Sequence, residues 1–227
     1  MSSHRLPNLD AVISGFLSLP DLTGTASDAM DEVGVVGAVP SAILQPSLPH
    51  ARIAGPALTV RNEEITGIDV KAAALGGKTQ IALNKVHAMA TPGDVLVIQG
   101  VLGVSSMGSL QASLGQRQGE IGMVTDGSTR DIEHSKGIGY PIWSRGVTPV
   151  TGKWRLRTAH INEPVEILGI KVAPGDLVLA DAVGVCFIPA AQAEEVLKVA
   201  LRIASAETKT SQQISSGHAV PDFSTRP

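Results

Sequence analysis

A chain of 227 residues with 43% apolar and 17% charged residues has room for one large domain or two small ones, and this is not the composition of a disordered protein. A net charge of −3 gives no electrostatic reason to bind nucleic acid. The lone cysteine, Cys186, excludes an intrachain disulfide and fits a reducing compartment, and no apolar run reaches the roughly 18 residues of a membrane span.

The chain opens on MSSHRLPNLD, which lacks the basic-then-apolar layout of a signal peptide, so a cytoplasmic protein is expected. Leu9, Val12, Ile13, Phe16 and Leu17 recur at helical spacing, and Pro20 marks a stop. Thr25 resembles an N-cap for a short helix through Met30 and Val33, broken by Gly34 and Gly37. Pro40 to His50 reads as an irregular crossing. Residues 51–62 read as a strand, with Gly55-Pro56 as a bulge or an edge feature. Ile68–Leu75 suits a short helix ended by Gly76-Gly77. Thr79–Met89 reads as a helix with Ile81, Leu83 and Val86 inward, and His87 near its end as a surface or capping residue.

Two segments echo each other. ATPGDVLVIQG (90–100) and VAPGDLVLADA (172–182) both run Pro-Gly-Asp into an apolar strand, as two similar units of one barrel-like sheet. Asp94 and Asp176 then belong to turn chemistry before function. A helix follows Gly108-Ser109, with Leu110 and Leu114 on one side. Ile121–Val124 reads as a buried strand, Asp126-Gly127 as a turn, and PIWSRG as another strand. Lys153, Arg155 and Arg157 alternate with Trp154 and Leu156, so a strand would put three cations on one face. That face is either solvated or sends one cation toward a substrate carboxylate. Residues 164–172 and 177–188 read as strands, with Cys186 a buried small hydrophobe. Ala190–Thr208 is a helix with Val196, Leu197, Val199, Ala200 and Ile203 mostly along one face. One domain over 1–210 and a polar tail over 211–227 are expected. Strands interleaved with helices of uneven length predict an α/β fold with a mixed sheet or barrel.

The candidate site is Gly108–Asp131. A helix start offers backbone N–H groups to an anion, and Arg130-Asp131 offers a fixed cation and a metal ligand. Read alone, the pair is a weak signal, and its first reading is a loop-end salt bridge. The six histidines lack metal-ligand spacing, which disfavours zinc and leaves an oxygen-liganded Mg²⁺ or Mn²⁺. No Walker loop, GxGxxG before a helix, CxxC, HExxH or GxSxG is present.

VTDGSTRD (124–131), preceded by Gly119 and Gly122, resembles the central motif of the RraA-like family. That family holds the regulator of ribonuclease activity A and divalent-metal 4-hydroxy-4-methyl-2-oxoglutarate aldolases. AGPALTV (54–60), ATPGDVLVI (90–98), PIWSRGVTP (141–149) and APGDLVLADAVGVCFIP (173–189) carry the likeness further, from about Ala26 to Glu207. The resemblance implies an α/β/β/α sandwich around a closed barrel, similar to swivelling β/β/α domains, assembled as a homotrimer or homohexamer.

It also implies roles. Asp131 matches the metal-binding Asp, and Arg130 the Arg that contacts the keto oxygen and enolate. Gly108, Ser109, Leu110 and Gln111 match the helix start whose amides hold the pyruvyl carboxylate. Glu207 matches an acid contributed by a neighbouring subunit. Ser109 stands where the aldolases carry Asp or Glu, and Gln111 replaces a Leu. The implied function is a metal-dependent lyase that cleaves a 4-hydroxy-2-oxo acid through a pyruvate enolate, with oxaloacetate decarboxylation as a side activity. The alternatives are a diverged member with another carboxylate substrate and a non-catalytic regulator that binds a ribonuclease.

Overall fold

The computed structural model describes residues 8–217. The start of the expected signal-free leader and most of the expected C-terminal tail lie outside them. The chain begins with α1 (Leu9–Leu17), α2 (Leu22–Val33), β1 (Ala38–Pro40), β2 (Gln45–Pro46) and β3 (Ile53–Glu64). Then come α3 (Val70–Gly76), α4 (Leu83–His87), β4 (Val95–Gln99), α5 (Ser109–Arg117), β5 (Gly122–Thr129), α6 (Ile132–Gly137) and β6 (Ile142–Val147). The last elements are β7 (Leu156–Ile161), β8 (Val165–Ile167), β9 (Ile170–Val172), β10 (Leu177–Ala180), β11 (Gly184–Ile188) and α7 (Ala193–Ser215).

β3 organises the sheet. Its first residues pair antiparallel with β10, its middle runs parallel to β4, and its last residues pair antiparallel with β7. The order is β1-β11-β10-β3-β4-β5-β6-β2, with β7 on β3 and β8-β9 as a separate hairpin. The two Pro-Gly-Asp strands, β4 and β10, thus flank β3 in one sheet. Asp94 accepts from the Thr91 N–H at 2.7 Å, and Asp176 from Ala173 at 2.8 Å and Ala190 at 3.0 Å, so both serve turns as expected.

Alternation along the strands separates three cores. Leu177 and Leu179 of β10 face α1, α2 and α7, whereas Val178 and Ala180 face inward. On β4, Leu96 and Ile98 face the α4–α5–α6 side, whereas Val95 and Val97 face inward. Period-two burial on both faces makes these strands read as continuous apolar runs. The layer order is helix, sheet, sheet, helix. The edge strands β1 and β2 are joined by the short segment 41–44, but no ladder pairs them, so the ring of hydrogen bonds expected of a closed barrel stays open between them.

Several expectations are corrected. α2 begins at Leu22, not Thr25; Thr25 is buried, and Thr23 fastens the helix through Asp181, at 3.0 Å from its N–H and 2.6 Å from its hydroxyl. The crossing at 40–50 contains β2. The irregularity of β3 falls at Arg61/Asn62 rather than Gly55-Pro56. Gly55 is needed because a Cβ there would strike the Gly93 carbonyl. The helix expected over 79–89 shrinks to α4. Asp126-Gly127 is not a turn but lies within β5, at a register shift against β6. Residues 164–172 fold as a hairpin, because Leu168 and Gly169 take positive φ (52° and 85°). Lys153 and Arg155 sit in the turn before β7, so the three cations share no strand face. On α5 the buried residues are Ala112 and Gly115, and Leu110 points out at 78% exposure. α7 runs past Thr208 to Ser215, into the segment expected to be tail.

Candidate functional site

The carboxyl ends of the parallel strands β4 and β5 lead into the site. A loop over 100–108 leaves β4 and is tied to β5 backbone to backbone. Ser106 N–H reaches the Ser128 carbonyl at 2.8 Å, and Arg130 N–H reaches the Met107 carbonyl at 3.1 Å. The Met107 carbonyl also accepts the hydroxyls of Ser105 at 2.7 Å and Thr129 at 3.1 Å. This fixes the start of α5 against the end of β5, and so the two ends of Gly108–Asp131 meet in space.

Asp131 caps α6 in the left-handed region, at φ 57° and ψ 38°. Its Oδ2 accepts the Ser109 N–H at 2.9 Å and lies 3.5 Å from Arg130 Nε. These contacts, the Ser109 N–H foremost and then the Arg130 charge, hold the Asp131 carboxyl below its usual 3.8. A depressed carboxyl stabilises the fold above its unfolded pKa, and that contribution fades as pH falls through the folded value. The group is therefore an anion across the neutral and mildly acidic range. Among the first-turn amides of α5, Gln111 N–H turns back to the Gly108 carbonyl at 3.1 Å, and Leu110 N–H has no partner among the described residues.

Gly108 has an extended backbone that any residue could adopt, so its role is space. A Cβ there would lie 2.6 Å from Asp131 Oδ2 and 2.9 Å from Arg130 Nε. Gly108→Ala is expected to push both groups aside. Displacements near 1 Å at a reacting centre cost about 100-fold in rate. Any turnover at this site should drop by that order while the melting temperature stays near wild type.

Beside this cluster lies a cavity of ≈ 210 Å³. Gly108, Ser109, Leu110, Gln111 and Arg130 line it on one side, and Ile81, Asn84, Met107 and Lys153 elsewhere. Gln111 Nε2 donates to Asn84 Oδ1 at 2.9 Å, tying α5 to α4. All the site residues expected around the helix start are thus brought together. Glu207 is not: it is exposed on α7, in the opposite helix layer. No group of three or more His, Cys, Asp or Glu side chains able to hold a metal occurs among the described residues. Asp131 is an exposed, ionised carboxylate held against Ser109 and Arg130 of the cavity lining. One such carboxylate suits Mg²⁺ or Mn²⁺, which bind through one or two protein oxygens plus waters and substrate. The fit is to a hard cation that would take most of its ligands from water and substrate.

Two features escape the sequence. Gly152 carries the turn holding Lys153, and a Cβ there would strike the Ser105 carbonyl; nothing local marks this glycine. His87, expected at the surface, is wholly buried, with Nδ1 2.6 Å from Glu120 Oε1. Tyr140 donates its hydroxyl to Glu120 Oε2 at 2.8 Å. The shortening of α4 turns His87 inward, and no local pattern announces a partner 33 residues away.

Comparison with known proteins places this geometry. Residues 23–187 match the model of a family described as RraA-like, Aldolase/RraA. A Halalkalibacterium halodurans protein, provisionally named a 4-hydroxy-4-methyl-2-oxoglutarate aldolase, is 32% identical over 190 residues, covering 83% of this chain and 81% of that protein. A crystal structure of an uncharacterized Pseudomonas syringae pv. tomato protein superposes with TM-score 0.75 at 26% identity, over 93% of this chain and 95% of that one. Streptomyces coelicolor RraAS2, described as an unusual member of the RNase ES inhibitor RraA family, gives TM-score 0.72 at 25% identity, over 92% and 98%.

Proposed function

This chain belongs to the RraA-like family, and from that premise we propose that it is a divalent-metal-dependent lyase that cleaves a 4-hydroxy-2-oxo acid through a pyruvate enolate. The observation that carries the reading is the convergence of the Asp131 carboxylate and the Arg130 guanidinium on the start of α5, beside a cavity. An Mg²⁺ or Mn²⁺ held by Asp131 would act as a Lewis acid on the 2-oxo carboxylate.

The protein's own groups divide the remaining work. The Leu110 N–H and Arg130 receive the substrate carboxylate, while the Ser109 N–H is retained by Asp131. Cleavage breaks the bond between C3 and C4, and the C4 hydroxyl gives up its proton as a carbonyl forms there. The electron pair moves to the C2 oxygen, and Arg130 offsets the enolate charge. C3 then takes a proton and pyruvate leaves. Decarboxylating oxaloacetate yields the same enolate, so the same groups serve it. The Ser109 hydroxyl is no base at neutral pH, so the proton of the C4 hydroxyl passes to water without a carboxylate at that position to orient it.

Assembly as a homotrimer or homohexamer, with Glu207 of a neighbouring copy joining the metal shell, belongs to this proposal, as does a cytoplasmic location. Among the described residues, no helix is long and apolar enough to cross a membrane. Pyruvate release from oxaloacetate and a panel of 4-hydroxy-2-oxo diacids, with Mg²⁺, Mn²⁺ or a chelator, tests the reading. Release that requires metal is the expected result. Metal binding without release from any substrate would favour a diverged member with another carboxylate substrate. Neither binding nor release would favour the regulator, to which the likeness to RraAS2 lends support.

A further inference from the structure

Alternate residues at the end of β5 stitch it to the loop over 100–108. Ser128 N–H donates to the Val101 carbonyl at 3.2 Å, and its hydroxyl accepts the Gly103 N–H at 2.9 Å. The Ser128 carbonyl accepts from Ser106, and Arg130 N–H donates to Met107. The row closes where Asp131 accepts the Ser109 N–H. It opens at Asp126, whose Oδ1 accepts the Gly100 N–H at 2.8 Å.

Asp126 is the member of this row that the chemistry above leaves without a role. It sits where β5 slips in register against β6, between Thr125 and Ser128. The approach there is close: a Cβ on Gly100 would lie 3.0 Å from Gly127 Cα, so two glycines bring loop and strand together beside the carboxylate. The Leu168 N–H, at the tip of the β8–β9 hairpin, acts on the same carboxylate. Leu168 holds φ at 52°, a conformation that bulky residues rarely adopt. The carboxyl is half-buried, and burial pushes its pKa above the usual 3.8, against those N–H groups and the charge of Arg145. A partly desolvated carboxylate that reaches two separate segments is a costly means of shaping one strand.

We infer that Asp126 is a positioning residue of the site. Its carboxylate anchors the far end of the loop whose near end is Gly108, and so sets where the α5 start stands against Arg130 and Asp131. The loop needs such an anchor because its first turn runs through Gly100 and Gly103, the latter at φ 86°, and glycines give the backbone little stiffness of its own. The inference goes beyond the lyase reading and rests on it only for the turnover measured below.

The test combines residue-resolved amide hydrogen exchange with pyruvate release from oxaloacetate and Mg²⁺, above the protein-free background. The full chain is compared as wild type, Asp126→Ala and Asp126→Asn, with thermal melts to show that each variant folds. Asp126→Ala should quicken exchange about 10–100-fold at Gly100 and also at Ser106 and Ser109, the scale of one charge-assisted hydrogen bond. Pyruvate release should fall about tenfold, less than the roughly 100-fold that follows a displacement of about 1 Å at the reacting centre. Asp126→Asn should restore most of both, because its oxygen still accepts from Gly100. In the wild type alone, the Gly100, Ser106 and Ser109 amides should open as one unit in mild urea. Faster exchange confined to Gly100, separate openings in the wild type, an Asn variant no better than Ala, or unchanged turnover in a loosened loop would overturn the inference. A wild type that releases no pyruvate would sink the lyase, and exchange at Ser109 would then decide the role of Asp126 by itself.

Discussion

Asp131→Asn is expected to lower metal-dependent pyruvate release by at least about 100–1000-fold, the scale of losing one element that stabilises a developing oxyanion, here the cation that Asp131 would hold. The substitution is chosen for what it preserves. Asn tolerates the left-handed backbone that Asp131 adopts at φ 57°, and its side-chain oxygen still accepts from the Ser109 N–H. What it removes is the negative charge. Binding of Mg²⁺ or Mn²⁺ should weaken in step, because the described residues offer no group of three or more metal-ligating side chains to take over. Asp131→Ala should lose as much activity and also some stability, because a plain side chain in that backbone region costs roughly 1–2 kcal/mol. Calorimetric metal titration, pyruvate release and thermal melts separate these effects. An Asn variant that binds metal and turns over like the wild type would remove Asp131 from the site.

The parts that could be read from residues alone have a common physical character. Phe16 and Val12 on α1, Val196 and Ala200 on α7, and the runs VLVIQ and LVLA announce themselves by local periodicity and local turn chemistry. The site is legible for a different reason: Gly108 and Arg130-Asp131 lie in motifs resembling those of a family, while the spacing of the pair alone favoured a salt bridge. What stayed hidden depends on contacts distant in sequence. Gly127 looked like a turn, yet it lies in β5, where a Cβ would strike Gly100 Cα at 2.8 Å and Val101 N at 2.6 Å. Lys153, Arg155 and Arg157 looked equivalent, and only the packing of Gly152 on Ser105 and the acid at Glu63 tells them apart. His87 looked like a cap because its partner, Glu120, belongs to the turn before β5.

That buried pair carries the largest expected effect on stability. The side chains of His87 and Glu120 are fully shielded from solvent, and Tyr140 is 1% exposed. Burial and the neighbouring Glu120 charge push the Tyr140 hydroxyl well above its usual pKa, so it stays protonated and donates. Glu120→Ala would leave His87 Nδ1 and the Tyr140 hydroxyl without partners inside the core and open a cavity. Breaking a buried pair by removing one member costs about 3–5 kcal/mol, which for a domain of this size lowers the melting temperature by about 10 °C. Glu120→Gln should lose less, because its amide can accept from Tyr140 and donate to a neutral His87. The effect reaches the site through α5. Gly115 of α5 lies directly on Glu120, with no room for a Cβ between them, and its Cβ position is 3.2 Å from His87 Cε1. The same helix begins at Ser109 on the cavity, and α4, which ends at His87, is linked to it by Asn84 and Gln111. Loosening the pair should therefore raise KM for the oxo acid at temperatures well below unfolding, with kcat less affected. Thermal melts and steady-state kinetics of Glu120→Ala and Glu120→Gln measure both consequences. Melting within about 2 °C of wild type for Glu120→Ala would show that the pair contributes little net stability, as replaceable buried ion pairs do.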